Sequence, residues 1–111
     1  MDARLPAHVE VSGLVRSVSA AGGFATVLQR GEKDAGTLLV ITLDRGESAV
    51  LWERMPQLDG SRSFTRSRQQ DPEKPQEFNE YIARRKQSDP DCWVVELDIA
   101  DAERFIDSAV Q

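Results

Sequence analysis

"TLLVITLDRGESAVLWERM", residues 37–55, decides how this chain folds. The run at 37–44 is β-rich and apolar enough to lie inside a sheet. "RGES" (45–48) is a turn. "AVLWERM" (49–55) alternates, with Val50, Trp52 and Arg54 sharing one face. A short turn between two such runs predicts an antiparallel pair. Upstream, "FATVLQ" (24–29) also reads as a strand, and "RGEKDAG" (30–36), with two glycines, reads as a hairpin turn. The three runs are therefore expected to form an antiparallel meander.

Before the meander, Val11, Leu14, Val15 and Val18 fall at i, i+3, i+4 and i+7, one face of a helix. Pro6 suits its first turn, and Gly22 with Gly23 suits its end. Gly13 weakens it by roughly 1 kcal/mol relative to alanine. The alternation in "HVEV" would allow a short strand instead; the helix is preferred. After the meander, Pro56 and Gly60 break the chain, and "RSFTRSR" (62–68) alternates as a candidate fourth strand. A second helix is expected to start at or just before Pro75, with Phe78, Tyr81 and Ile82 as its apolar stripe. "CWVVELDI" (92–99) is a further strong strand. "DAERFIDSAV" (101–110) closes as a helix, with Asp101 as N-cap and Ala102, Phe105, Ile106 and Ala109 on one face. The order is α-β-β-β-(β)-α-β-α. It predicts one α+β domain over 1–111, a mainly antiparallel sheet of four to five strands with helices packed on it. Trp52 and Trp93 stand on the most apolar strands, so at least one is expected to be buried.

A chain of 111 residues suits a single domain, which buries roughly two-thirds of its unfolded surface. The single cysteine, Cys92, rules out an internal disulfide and any multi-cysteine metal site within one chain. No leader-like apolar segment opens the sequence, and no apolar run approaches the ~18 residues that cross a bilayer. A reducing cytoplasm is the expected setting. Net charge is −5, which argues against bulk nucleic-acid or membrane-surface binding. The charge is uneven: −2 over residues 1–61, +3 over 62–86 and −6 over 87–111.

Several stretches together resemble a known family: "RLPAHVEVSGLVR" (4–16), "AAGGFATVL" (20–28), "WERMPQLDGSR" (52–62), "QDPEKPQEFNEYIARR" (70–85) and "DPDCWVVELDIADAERFI" (89–106). The sequence is similar to a small bacterial family catalogued only as a domain of unknown function. The resemblance covers nearly the whole chain and implies a single-domain bacterial protein. It brings no activity, substrate or catalytic residue with it.

Candidate chemistry has to come from the residues. His8 and Cys92 would make a nucleophile pair only if adjacent in space. Asp91 beside Cys92 would raise the thiol pKa, so a structural cysteine is expected. His8 is expected to be a partly exposed residue of the first helical turn. Glu96 and Asp98, two apart on a strand, point to one side and could hold Mg²⁺, or they are simply the wet side of a strand. The element order is that of restriction-type nucleases, but Asp44 is followed by Glu53-Arg54-Met55, without the required Glu-x-Lys. "RGEKDAG" lacks the helix N-terminus a phosphate loop needs. No catalytic residue, metal or cofactor is assigned.

There remains the basic stretch. If 62–68 is extended, Arg62, Arg66 and Arg68 lie on one face with Phe64 among them. Guanidinium groups beside an aromatic ring suit carboxylate or phosphate recognition. Arg62, Arg66, Arg68 and Arg54 are the candidate ligand-binding residues. The expected function is a binding domain for an acidic protein segment or anionic small molecule, with self-association through a sheet edge as a further expectation. The alternative is a small enzyme or nucleotide-binding domain that joins the same arginines to Glu96 and Asp98.

Overall fold

The computed structural model describes residues 5–56 and 62–110; for 55, 56, 62 and 107–110 it describes the backbone alone. The elements run α1 (Ala7–Ala20), β1 (Phe24–Gln29), β2 (Leu38–Asp44), β3 (Glu47–Pro56), β4 (Arg62–Gln69), α2 (Pro75–Ser88), β5 (Trp93–Asp98) and α3 (Glu103–Val110). One five-stranded mixed sheet has the order β1-β5-β2-β3-β4. Three of its pairings are antiparallel and β2 with β5 is parallel. The fold is the expected α+β arrangement, with the candidate fourth strand formed.

The meander, however, is displaced by one strand. β2, β3 and β4 form it; β1 pairs with β5, which lies between β1 and β2. Trp93, Val94, Val95 and Leu97 are all buried, so β5 needs neighbours on both edges and cover on both faces. Residues 30–36 are accordingly not a hairpin turn but a bridge over the entry to β5. The Glu32 amide donates to the Asp91 carbonyl (2.8 Å), and the Trp93 indole donates to the Glu32 carbonyl (2.7 Å). A Cβ on Gly31 would stand 2.2 Å from the Asp91 oxygen, and one on Gly36 2.5 Å from it. The glycines are there for close passage of two backbones, not for reversing a strand.

The turn between β2 and β3 does reverse the chain. Arg45 and Gly46 both have positive φ (53° and 78°) between the paired Asp44 and Glu47, the geometry that matches strand twist in a two-residue hairpin.

Helices cover both faces. Val11, Leu14 and Val18 of α1 and Ile106 of α3 pack with Val40, Val95 and Leu97 on one face. Phe78 and Ile82 of α2 pack with Leu39, Ile41, Leu51 and Val94 on the other. Trp93 is buried and Trp52 is half-buried. The first amides of α1 are satisfied from outside the helix, with Ala7 and His8 donating to the carbonyls of Asp34 and Lys33. Its end is a Schellman cap: Gly23 donates to Val18, Gly22 donates to Ser19, and Gly22 has φ 89°. Pro75 is the first residue of α2, as its ring favours. Asp101 is not the cap of α3; it sits in a left-handed turn (φ 53°) and the helix begins at Glu103. Among the described residues no helix is long and apolar enough to cross a membrane.

Candidate functional site

β4 is an edge strand, hydrogen-bonded to β3 alone, and residues 65–69 are exposed. Its arginines do not share a face. The register passes from Trp52↔Arg66 to Leu51↔Arg68, so Ser67 is the extra residue of a β-bulge. Arg66 stays on the α1/α3 side, its guanidinium 5.6 Å from the centre of the Trp52 ring. Arg68 is turned to the α2 side, 4.1 Å from the centre of the Tyr81 ring. The expected common face is overturned because strict alternation fails across a bulge. The side chain of Arg62 lies outside the described residues.

The other basic groups nearby fall into two kinds. Arg54 and Arg85 are tied into the structure. Arg54 projects from β3 beneath α1 and makes a two-pronged ion pair with Glu10, one prong at 3.0 Å. Its guanidinium also lies 4.8 Å from the Phe64 ring centre. Arg85 of α2 donates to Glu53 (2.8 Å) and to the Tyr81 hydroxyl (3.0 Å). That hydrogen bond holds the Glu53 carboxyl below its ordinary range; Ser67, which also donates to Glu53, adds to the effect and burial opposes it. Arg66 and Arg68 differ: among the described residues neither has a carboxylate partner. They are exposed cations held over aromatic rings, one on each side of an open strand.

The sequence shows these arginines but not their platforms. By sequence alone Trp52 belongs to an apolar strand and Tyr81 to the α2 stripe. A tyrosine on the stripe nearest the basic "ARRK" turn was the available signal, since cations stack on aromatic faces.

The remaining candidates separate. Cys92 is buried against α2, and burial, followed by the charge of Asp89 rather than Asp91, pushes its thiol pKa up. His8 lies on α1, across the sheet, and is half-buried in the first turn. The two cannot act as a pair. Glu96 borders a cavity of about 290 Å³ under α2 with Leu28, Phe78, Ile82 and Lys86. Burial, with Asp98 adding, raises its carboxyl pKa. No arginine lines that cavity. Arg66 borders a different one, about 220 Å³, with Asp44, Ser48, Asp101 and Glu103. Glu53 is engaged with Arg85 and so does not join Asp44 in a nuclease-like constellation. Among the described residues no cluster of His, Cys, Asp or Glu is placed to hold a metal ion.

Comparison with known proteins agrees with this fold. The family model described as "Protein of unknown function (DUF1491)" matches residues 5–107. The chain belongs to the DUF1491 family. The crystal structure of a DUF1491 family protein from Caulobacter crescentus CB15 is similar at TM-score 0.78 and 32% identity, over 92% of this chain and 94% of that one. The solution structure of a protein from A. tumefaciens is similar at TM-score 0.73 and 29% identity, over 93% and 92% of the two chains. No curated protein matches. DUF1491 is a family of unknown function, so these likenesses confirm the architecture and leave the chemistry to the residues.

Proposed function

We propose that the β4 edge is a docking strand for an extended acidic segment of another protein. The observation that carries this reading is the pair Arg66 and Arg68, one on each side of an open strand and each over a ring. An added strand would take main-chain hydrogen bonds from the edge. Its consecutive side chains point to opposite faces, so adjacent carboxylates on it would meet Arg66 and Arg68 in turn. Stacking on Trp52 and Tyr81 limits the rotamers each guanidinium loses on binding, and charged hydrogen bonds to carboxylate are the stronger kind. A cytoplasmic setting accords with the lone, free, buried thiol of Cys92. The enzyme reading is less well supported, because Arg66 and Glu96 border different cavities and Asp98 borders neither.

Anisotropy titration tests the proposal. The probe is a short labelled peptide with paired glutamates in a valine–threonine background; its glutamine counterpart is the control. The glutamate peptide should bind more tightly, and added salt should weaken it, since exposed charges are screened over about 8 Å at physiological ionic strength. Arg66→Gln with Arg68→Gln should abolish binding at an unchanged denaturant midpoint. If the double variant binds equally well, the reading fails. It also fails if wild type binds neither peptide and the double variant aggregates, because the arginines are then edge protection.

A further inference from the structure

The two edges of the sheet are built differently. β4 carries arginines; β1, "FATVLQ", carries no charged residue at all. β1 pairs with β5 on one side only. Three of the exposed large apolar side chains stand on it: Phe24 (75% exposed), Val27 and Leu28. Soluble proteins usually guard such an edge with lysines, prolines or a covering element, and an unguarded one is a template for pairing.

We infer that β1 pairs with β1 of a second copy of this chain, antiparallel about a twofold axis at Thr26, so that the two sheets become one. The register follows from the strand itself. With Thr26 opposite Thr26, Phe24 of each copy faces Leu28 of the other, and Ala25 faces Val27. Phe24 and Thr26 lie opposite Asp98 and Glu96, on the α2 side. Leu28, although it is the extra residue of a bulge in β1, borders the cavity beneath α2. Ala25 packs on the α1/α3 side. The pairs Phe24–Leu28 and Ala25–Val27 therefore join apolar groups on a common face, the unit of sheet stabilisation. The same patch serves both copies, as a closed twofold interface requires.

Charge selects the occupant. β1 brings no like charges together when it meets itself. An acidic segment would find no cation on this strand, and it would meet Glu96 and Asp98 in the next row, opposite Thr26 and Phe24. The acidic segment proposed for β4 is thus excluded from β1, and the two edges have separate partners.

Light scattering coupled to size exclusion, over a concentration series, tests the pairing. Wild type should tend to twice 12.4 kDa. Thr26→Lys should hold the mass at 12.4 kDa by placing like charges directly opposite. Thr26 is exposed, so the variant should keep the denaturant midpoint that the wild type shows when dilute enough to be a monomer. Phe24→Lys should act in the same direction. As a geometric check, Thr26→Cys should form a disulfide-linked dimer on mild oxidation, because opposed residues have Cα atoms about 4.5–5.5 Å apart; Arg68→Cys should not. Arg66→Gln with Arg68→Gln should dimerise normally, so failure of the peptide reading leaves this one standing. A wild-type mass of 12.4 kDa at every concentration overturns the inference. So does a dimer that both lysine variants leave intact.

Discussion

Glu53 shows how one residue decides the use of its neighbours. It sits on the α2 side of β3 and takes hydrogen bonds from Arg85 and Ser67. Arg85 is thereby committed to the fold, whereas Arg68, one residue beyond Ser67, is left over the Tyr81 ring. The folded Glu53 carboxyl titrates below its usual 4.5. A depressed carboxyl pKa adds stability above the unfolded pKa, and that stability is lost as pH falls through the lower, folded value. Glu53→Gln should therefore lower the denaturant midpoint at neutral pH. Its deficit relative to wild type should shrink as pH drops below about 4.5, and a deficit constant across that range would show that Glu53 acts by shape alone. Cys92 is the opposite case, a titratable group disarmed by burial. Native protein should resist a thiol reagent at neutral pH, with labelling rising only as denaturant opens the chain; rapid native labelling would contradict the packing of Cys92 against Val94 and Leu39.

At the scale of elements, most helices and strands were legible because their signals are local. Apolar spacing marked α1, Pro75 marked the start of α2, and the Gly22–Gly23 pair marked a cap. Pairing was less legible, because it depends on residues far apart. Nothing within "RGEKDAG" says that a strand sixty residues later will pass beneath it. The arginine face failed for the same kind of reason, since the bulge at Ser67 exists only relative to Leu51 and Trp52 on the partner strand. Glycine substitutions separate these local and non-local roles. Gly13 has open space around its missing Cβ and lies within α1, so Gly13→Ala should stabilise by about 0.5–1 kcal/mol. Gly31→Ala would press a Cβ against the Asp91 and Cys92 backbone, which cannot rotate away. It should destabilise by about 1–3 kcal/mol or more. Denaturant melts of the two variants should move in opposite directions; a stabilised Gly31→Ala would mean that the crossing over β5 is wrongly placed.

Over the whole molecule, the sheet order sets a gradient from a guarded centre to two exposed borders. β5 and β2 have neighbours on both edges, and helices cover both faces over Val94, Val95, Leu39 and Val40, which show no exposure. Opening either strand requires breaking the sheet, so their amides should exchange hydrogen only through global unfolding. β4 has one neighbour, and its outward amides should exchange by local opening in a monomer or a dimer alike. β1 has one neighbour within its own chain, but its apolar, uncharged edge gives it a second one in a dimer. Hydrogen exchange read at two protein concentrations distinguishes these environments in one experiment. Protection should be greatest in β2 and β5, where it follows global stability. It should be low and concentration-independent along the exposed residues of β4, so that of the two edge strands only β1 gains protection with concentration. Protection that rises in β4 instead would place the arginine edge at the self-contact and reverse the roles assigned to the two borders. Equal protection across all five strands would contradict the order β1-β5-β2-β3-β4 itself.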